Sequence, residues 1–89
     1  MFRVLWIRPA LDELAALWAA GDSNLRRNIT ASSNLIDREL QVDPYRSSES
    51  RYDESRVLFV YPLGVQIEIE LEQRIVWVLH VWRFRRRGE

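Results

Sequence analysis

The sequence has no cysteine, no lysine, a single histidine and only three glycines. Without cysteine there can be no disulfide, thiolate metal site or thiol nucleophile. One histidine cannot supply the clustered ligands of a zinc centre, so neither a metal nor another cofactor is expected. No glycine-rich phosphate loop, nucleophile elbow or zinc motif occurs. The longest apolar stretches are strand-length, far short of the ~18 residues of a membrane helix. The first ten residues, MFRVLWIRPA, lack the apolar core of a signal peptide, so a cytoplasmic location and no membrane contact are expected. The formal net charge of +0 argues against a general polyanion binder.

What is present fits one domain spanning residues 1–89. Hydrophobic residues make up 47% of the chain, with four tryptophans, which excludes a disordered polymer. All thirteen basic residues are arginine. Four of the five residues from Arg83 to Arg87 are arginine, whereas residues 66–72 carry three glutamates and no base.

Residues 2–7 are apolar and β-prone and read as a first strand. Pro9 suits the start of a helix, where its missing N–H costs nothing. Asp12 and Glu13 complement the helix dipole there. Leu11, Leu14, Ala15 and Trp18 recur at helical spacing, and Gly21 ends the segment. Asp22 or Ser23 can cap a second helix. Its stripe is Leu25, Ile29, Ser32, Ile36 and Leu40, with Leu35 alongside. The short connection makes an antiparallel helical hairpin, and Asp43-Pro44 stops it. Residues 45–55 are polar and read as an exposed loop.

Strands follow at residues 56–61, 65–71 and 75–82, with a turn at Pro62-Leu63-Gly64 and a two-residue loop at Glu72-Gln73. The predicted fold class is α+β, ordered β-α-α-β-β-β. An antiparallel-rich four-stranded sheet carries the helical hairpin on one face. A two-residue loop pairs Ile69 with Val76, Ile67 with Val78 and Val65 with His80. His80 and Trp82 then face the helices. Trp77, Leu79, Val81, Arg83 and Arg85 fall on the other side with Gln66, Glu68 and Glu70. A slip of one residue would exchange these two sets.

No segment remains to cover Trp77, Leu79 and Val81, so this row marks a surface for a partner segment or for a second copy of the chain. Glu68 and Glu70 flank it, as partner contacts or simply the wet face of a strand. Arg56 can act on a phosphate or pair with those glutamates across strands. Arg83, Arg85, Arg86 and Arg87 can grip phosphates or form a solvated basic tail. His80, Trp6 and Trp18 read as core. Arg26 and Arg27 sit where positive charge opposes the helix dipole, a slight hint of an anion contact.

The run Leu35-Ile36-Asp37-Arg38-Glu39-Leu40, then Asp43-Pro44 and Ser48-Glu49-Ser50-Arg51, resembles the helix end and loop of the RelE/ParE toxin superfamily. Arg56-Val57-Leu58-Phe59, Pro62-Leu63-Gly64-Val65 and Arg74-Ile75-Val76-Trp77-Val78-Leu79 resemble that family's last three strands. The resemblance implies the toxin of a bacterial toxin–antitoxin pair, held inactive by an antitoxin segment. RelE-like members cleave mRNA on the ribosome, and ParE-like members inhibit DNA gyrase. For an RNA-cleaving member the resemblance implies Arg56, Arg85 and Arg83 as catalytic cations. The arginine that such members carry on the third strand falls at Gln66, and no tyrosine follows Arg87 in the sequence. An atypical nuclease, a gyrase-type toxin and a non-catalytic interaction protein of the same fold all remain open.

Overall fold

The computed structural model describes residues 1–88. The first strand, β1 (Arg3–Trp6), leads into α1 (Arg8–Ala20) and α2 (Ser23–Val42). A single turn, α3 (Pro44–Ser47), and a two-residue strand, β2 (Glu49–Ser50), follow. Then come β3 (Arg56–Val60), β4 (Leu63–Glu70) and β5 (Ile75–Arg83). The sheet has five strands in the order β1-β5-β4-β3-β2. β1 runs parallel to β5 and the other neighbours are antiparallel. The α+β class and the helical hairpin are as expected. The sheet gains its fifth strand from the segment read as loop, because Glu49 and Ser50 pair with Val57 and Arg56.

Helix boundaries follow the local chemistry. Pro9 opens α1, and the Asp22 carboxylate caps α2 by accepting from the Leu25 N–H at 2.8 Å. Gly21 closes α1 for a different reason than its conformational freedom. Its φ is −86°, which any residue adopts, but a Cβ there would sit 3.1 Å from the Leu25 side chain. Arg26 satisfies the end of α1, donating to the Trp18 and Ala19 carbonyls at 2.9 and 3.0 Å. This caps the negative end of the helix with a cation, so no external anion is needed. α2 buries Ile29, Ser32, Ile36 and Leu40 along the expected stripe. The Ser32 hydroxyl donates to the Val60 carbonyl at 2.6 Å, which pins the helix to β3.

The core lies between the helices and one face of the sheet, where Ile29, Ile36 and Leu40 meet Leu58, Leu63, Val65, Ile67, Val76, Val78 and Val81. Trp6 is partly buried against it and donates to Asp37 at 2.7 Å. Trp18 is 44% exposed, contrary to its reading as core, because it lies on the outer side of the hairpin beneath the Arg26 guanidinium.

The β4–β5 register carries the main correction. Ile69 faces Val76 and Ile67 faces Val78, as expected, but Gln66 then faces His80 and Val65 faces Val81. Leu79 is therefore the extra residue of a β-bulge, and every side chain after it changes face. Val81 is buried in the core and cannot belong to a bare-face row. His80 stands exposed instead of facing the helices. Trp82 crosses to the bare face above Gly64. Arg83 moves to the helix side, opposite Leu63.

Two substitutions test this packing. A Cβ on Gly64 would lie 2.6 Å from the Trp82 ring, so Gly64→Ala should destabilise by roughly 1–3 kcal/mol as the indole is displaced. Arg74, in the β4–β5 turn, has φ +56°, a conformation that costs a non-glycine residue about 1 kcal/mol. Arg74→Gly should therefore raise the urea midpoint without changing the slope.

Candidate functional site

Residues directly opposite in neighbouring strands share a face, so the pairings define the side of the sheet without helices. It carries Leu5, Trp77 and Glu68 in one row, and Arg3, Ile75 and Glu70 in the next. Toward the other end lie Val57, Gln66 and His80, then Phe59, Gly64 and Trp82. Val57 and Ile75 are buried yet lie outside the main core cluster, in keeping with packing on this second face.

The two ends of the face differ chemically. At the acidic end, the Trp77 indole N–H donates to Glu70 at 3.2 Å. Trp77, Glu68 and Glu70 are therefore grouped as expected, and Leu5 beside them is 36% exposed. At the other end is an aromatic cluster that the sequence reading missed. Phe59, 47% exposed, meets Trp82 and Phe84 edge to face at 6.0 and 5.4 Å. Tyr61 meets Phe84 at 5.7 Å, and the Arg86 guanidinium lies 3.8 Å from the Tyr61 ring centre. The signal was present as the alternation of Trp82, Phe84 and Arg86, of which the expected register placed only Trp82, and on the helix side.

The arginines expected to act together are dispersed. Arg56 lies on the helix side, opposite Ile67. Its Nε donates to the Ser48 hydroxyl at 2.7 Å. A terminal nitrogen donates to the Tyr45 and Ser48 carbonyls at 3.0 and 2.9 Å. The guanidinium also lies 5.4 Å from the Tyr45 ring centre. Arg56 thus clasps the segment between α2 and β3 and is not paired with Glu68 or Glu70. Arg83 lies opposite Leu63, four residues along β4 from Ile67. At ~3.4 Å per residue this separates Arg56 from Arg83 by about 14 Å along the strand, with the width of two strand spacings between them as well. Arg85 follows β5 and is exposed. Gln66 and His80 face each other midway along the bare side. Leu79, within the bulge, is only partly buried.

A second carboxylate has a defined role. Glu13 of α1 accepts the Val81 N–H at 3.1 Å and lies 3.5 Å from His80 Nδ1. Nothing in the sequence pattern links residues 68 positions apart. Among the described residues there is no cluster of metal-ligating side chains, and no helix is long and apolar enough to cross a membrane.

The sequence matches no protein-family model and no curated protein. Solved structures do match. The toxin–antitoxin complex RelBE2 from Mycobacterium tuberculosis superposes with TM-score 0.75 at 18% identity, covering 92% of this chain and 90% of that one. A chromosomal ParDE system from P. aeruginosa gives TM-score 0.74 at 16% identity, with 96% and 98% covered. The isolated E. coli RelE toxin gives 0.62 at 15% identity, with 99% and 89% covered. The chain therefore has the fold shared by RelE- and ParE-type toxins.

If Arg56 is a clasp, its loss should register as stability. Arg56→Ala should cost about 1–2 kcal/mol in urea unfolding, the scale of charge-assisted hydrogen bonds that are partly exposed. Arg56→Lys should recover less than half of this, because an ammonium cannot reproduce the fork.

Proposed function

We propose that the chain is the toxin of a toxin–antitoxin pair and that it acts by binding a protein target rather than by cutting RNA. The toxin assignment rests on the fold shared with chains from RelBE and ParDE complexes. The binding mode rests on one observation, the separation of Arg56, opposite the middle of β4, from Arg83, opposite its first residue and on the other flanking strand. Attack of a ribose hydroxyl on the adjacent phosphate needs cations converging on one phosphoryl group. Here Arg56 is spent on the Ser48 and Tyr45 backbone. The middle of the bare face offers the amide of Gln66, with Glu68 and Glu70 on the same strand. Carboxylates there repel an RNA backbone.

A half-exposed aromatic surface suits a protein partner. Aromatic side chains are enriched in the centres of protein interfaces, and Phe59, Trp82, Phe84 and Trp77 supply them on one face. DNA gyrase is the target that the ParE resemblance names. One observation favours the alternative. Arg86 stacked on Tyr61 beside Phe84 offers a cation and an aromatic surface of the kind that holds single-stranded RNA, with Arg85 as phosphate cation.

The two readings separate in a single strain. Induced expression should arrest growth while transcripts keep their ends, and the purified protein should inhibit supercoiling by gyrase. Phased mRNA cleavage on the ribosome that disappears in Arg85→Ala would overturn the binding mode. Unimpaired growth with unaffected supercoiling would overturn the toxin assignment.

A further inference from the structure

Glu68, Glu70 and Arg86, charged side chains of the bare face, form no ion pair among the described residues. Arg3, on the outer strand, is separated from Glu70 by Ile75 of β5, a gap of about 10 Å. The placement of the three charges is regular. Gln66, facing His80, marks the middle of the face. Two residues along β4 in one direction lies the row of Glu68, Trp77 and Leu5, and two further lies Glu70. Two residues in the other direction lies the row of Gly64, Trp82 and Phe59. Two further is Pro62 of the turn, whose carbonyl accepts the Phe84 N–H. Beside it Tyr61, Phe84 and the Arg86 guanidinium meet. A carboxylate and a guanidinium thus stand on opposite sides of one midpoint, each about 14 Å from it at ~3.4 Å per residue.

Such a face is complementary to itself. A two-fold axis lying in the face, across the strands at Gln66 and His80, sets each row against the row equally far on the other side. Trp77 of one copy then meets Trp82 of the other, and Glu70 meets the Arg86 guanidinium. Each contact occurs twice. At the axis Gln66 meets its own copy, and two amides, each both donor and acceptor, pair with one another. The two His80 rings meet beside them, each 3.5 Å from the Glu13 carboxylate of its own chain. An axis along the strands would set Glu68 against Glu68, which is repulsive. The formal net charge of +0 leaves no long-range repulsion between copies.

We propose that the free chain pairs with a second copy through the bare faces about this crosswise axis, and that the pairing covers the surface offered to the target. The covering role rests on the target reading above, whereas the pairing does not. Five rows on four strands cover about 27 by 19 Å, on the order of 500 Å² per copy. This is the low end for a specific interface, so the pair exchanges with the single chain and a target displaces one copy.

Sedimentation equilibrium of the full chain reads the pairing without any target. Wild type should show a monomer–dimer equilibrium that weakens at least about tenfold from ~0.05 to ~0.5 M NaCl, as the charge pairs are screened. Glu70→Arg and Arg86→Glu should each weaken association at least about tenfold. The double variant, which exchanges the two signs, should recover most of the loss, and circular dichroism verifies the fold of each. A wild-type chain that stays monomeric at about 1 mM overturns the proposal, as does a dimer indifferent to salt and to both reversals. A double variant no stronger than the single ones overturns the crosswise axis. Inhibition of gyrase per chain should fall as concentration passes the dimer midpoint, and inhibition proportional to total chain through that range overturns the covering role. Gyrase left unaffected by a chain that forms this dimer supports the pairing and overturns the target reading alone.

Discussion

The structure depends on a single strand that belongs to two registers. Before Leu79, β5 lies between β1 and β4 and alternates with both. After Leu79 it keeps β4 but loses β1, and the bulge turns its faces over. This reversal sends Val81 into the core and brings Trp82 out. Without the extra residue, His80 would be driven under α1, and the branched apolar side chain of Val81 would be left on the bare face. Burying a valine contributes about 1.5 kcal/mol or more, while burying an imidazole without a partner costs a similar amount. The bulge avoids both losses. It releases the Val81 N–H from the ladder, and Glu13 takes that donor up. Helix α1 therefore closes the sheet edge with a side chain, one of the ways proteins protect an exposed edge.

Much of this fold could be read from periodicity. The α2 stripe of Ile29, Ser32, Ile36 and Leu40 is strongly amphipathic, and Asp22 and Pro9 mark helix starts by their chemistry. The hairpin register at Ile69/Val76 and Ile67/Val78 followed from the turn. Legibility failed where periodicity vanishes. From Ile75 to Trp82 both faces of β5 are apolar apart from His80, so a slip leaves the hydrophobic pattern almost unchanged. One residue then transferred Val81, Trp82 and Arg83 to the wrong sides. The β2 strand was missed for another reason. Glu49 and Ser50 have low strand propensity and are extended only because Arg56 holds Ser48 beside β3. The candidate site was legible at Trp77, Glu68 and Glu70. It was not legible at Phe59, Tyr61 and Phe84, whose association depends on how the end of β3 meets the segment after β5.

The arginines show how poorly residue type alone forecasts role. Three of them are occupied in three different ways, and a fourth is not. Arg26 caps the end of α1 and covers Trp18. Arg56 binds two carbonyls and a hydroxyl. Arg86 stacks on Tyr61. Arg83 has a buried nitrogen with no acceptor among the described residues. A guanidinium has five donors in a plane and a weakly hydrated face, so the same side chain serves as cap, clasp or stacking partner according to which backbone groups lie within reach. Without lysine the chain relies on this one cation for each of these tasks.

Placement of charge then limits what the bare face can do. A phosphate approaching its centre would meet Gln66 with Glu68 beyond it, and the nearest guanidinium along β3 is turned to the other side and already bound. An apolar or basic side chain from a protein would meet Phe59 and Trp82 at one end and Glu68 and Glu70 at the other, with no charge left unopposed. Desolvating a carboxylate against a phosphate is unfavourable, whereas desolvating aromatic rings against an apolar partner is favourable at ~25 cal/mol per Å². These energies are the physical ground for proposing a polypeptide as the target of this face. The arginines beyond β5 adjoin only the aromatic end of this face, where Arg86 stacks on Tyr61.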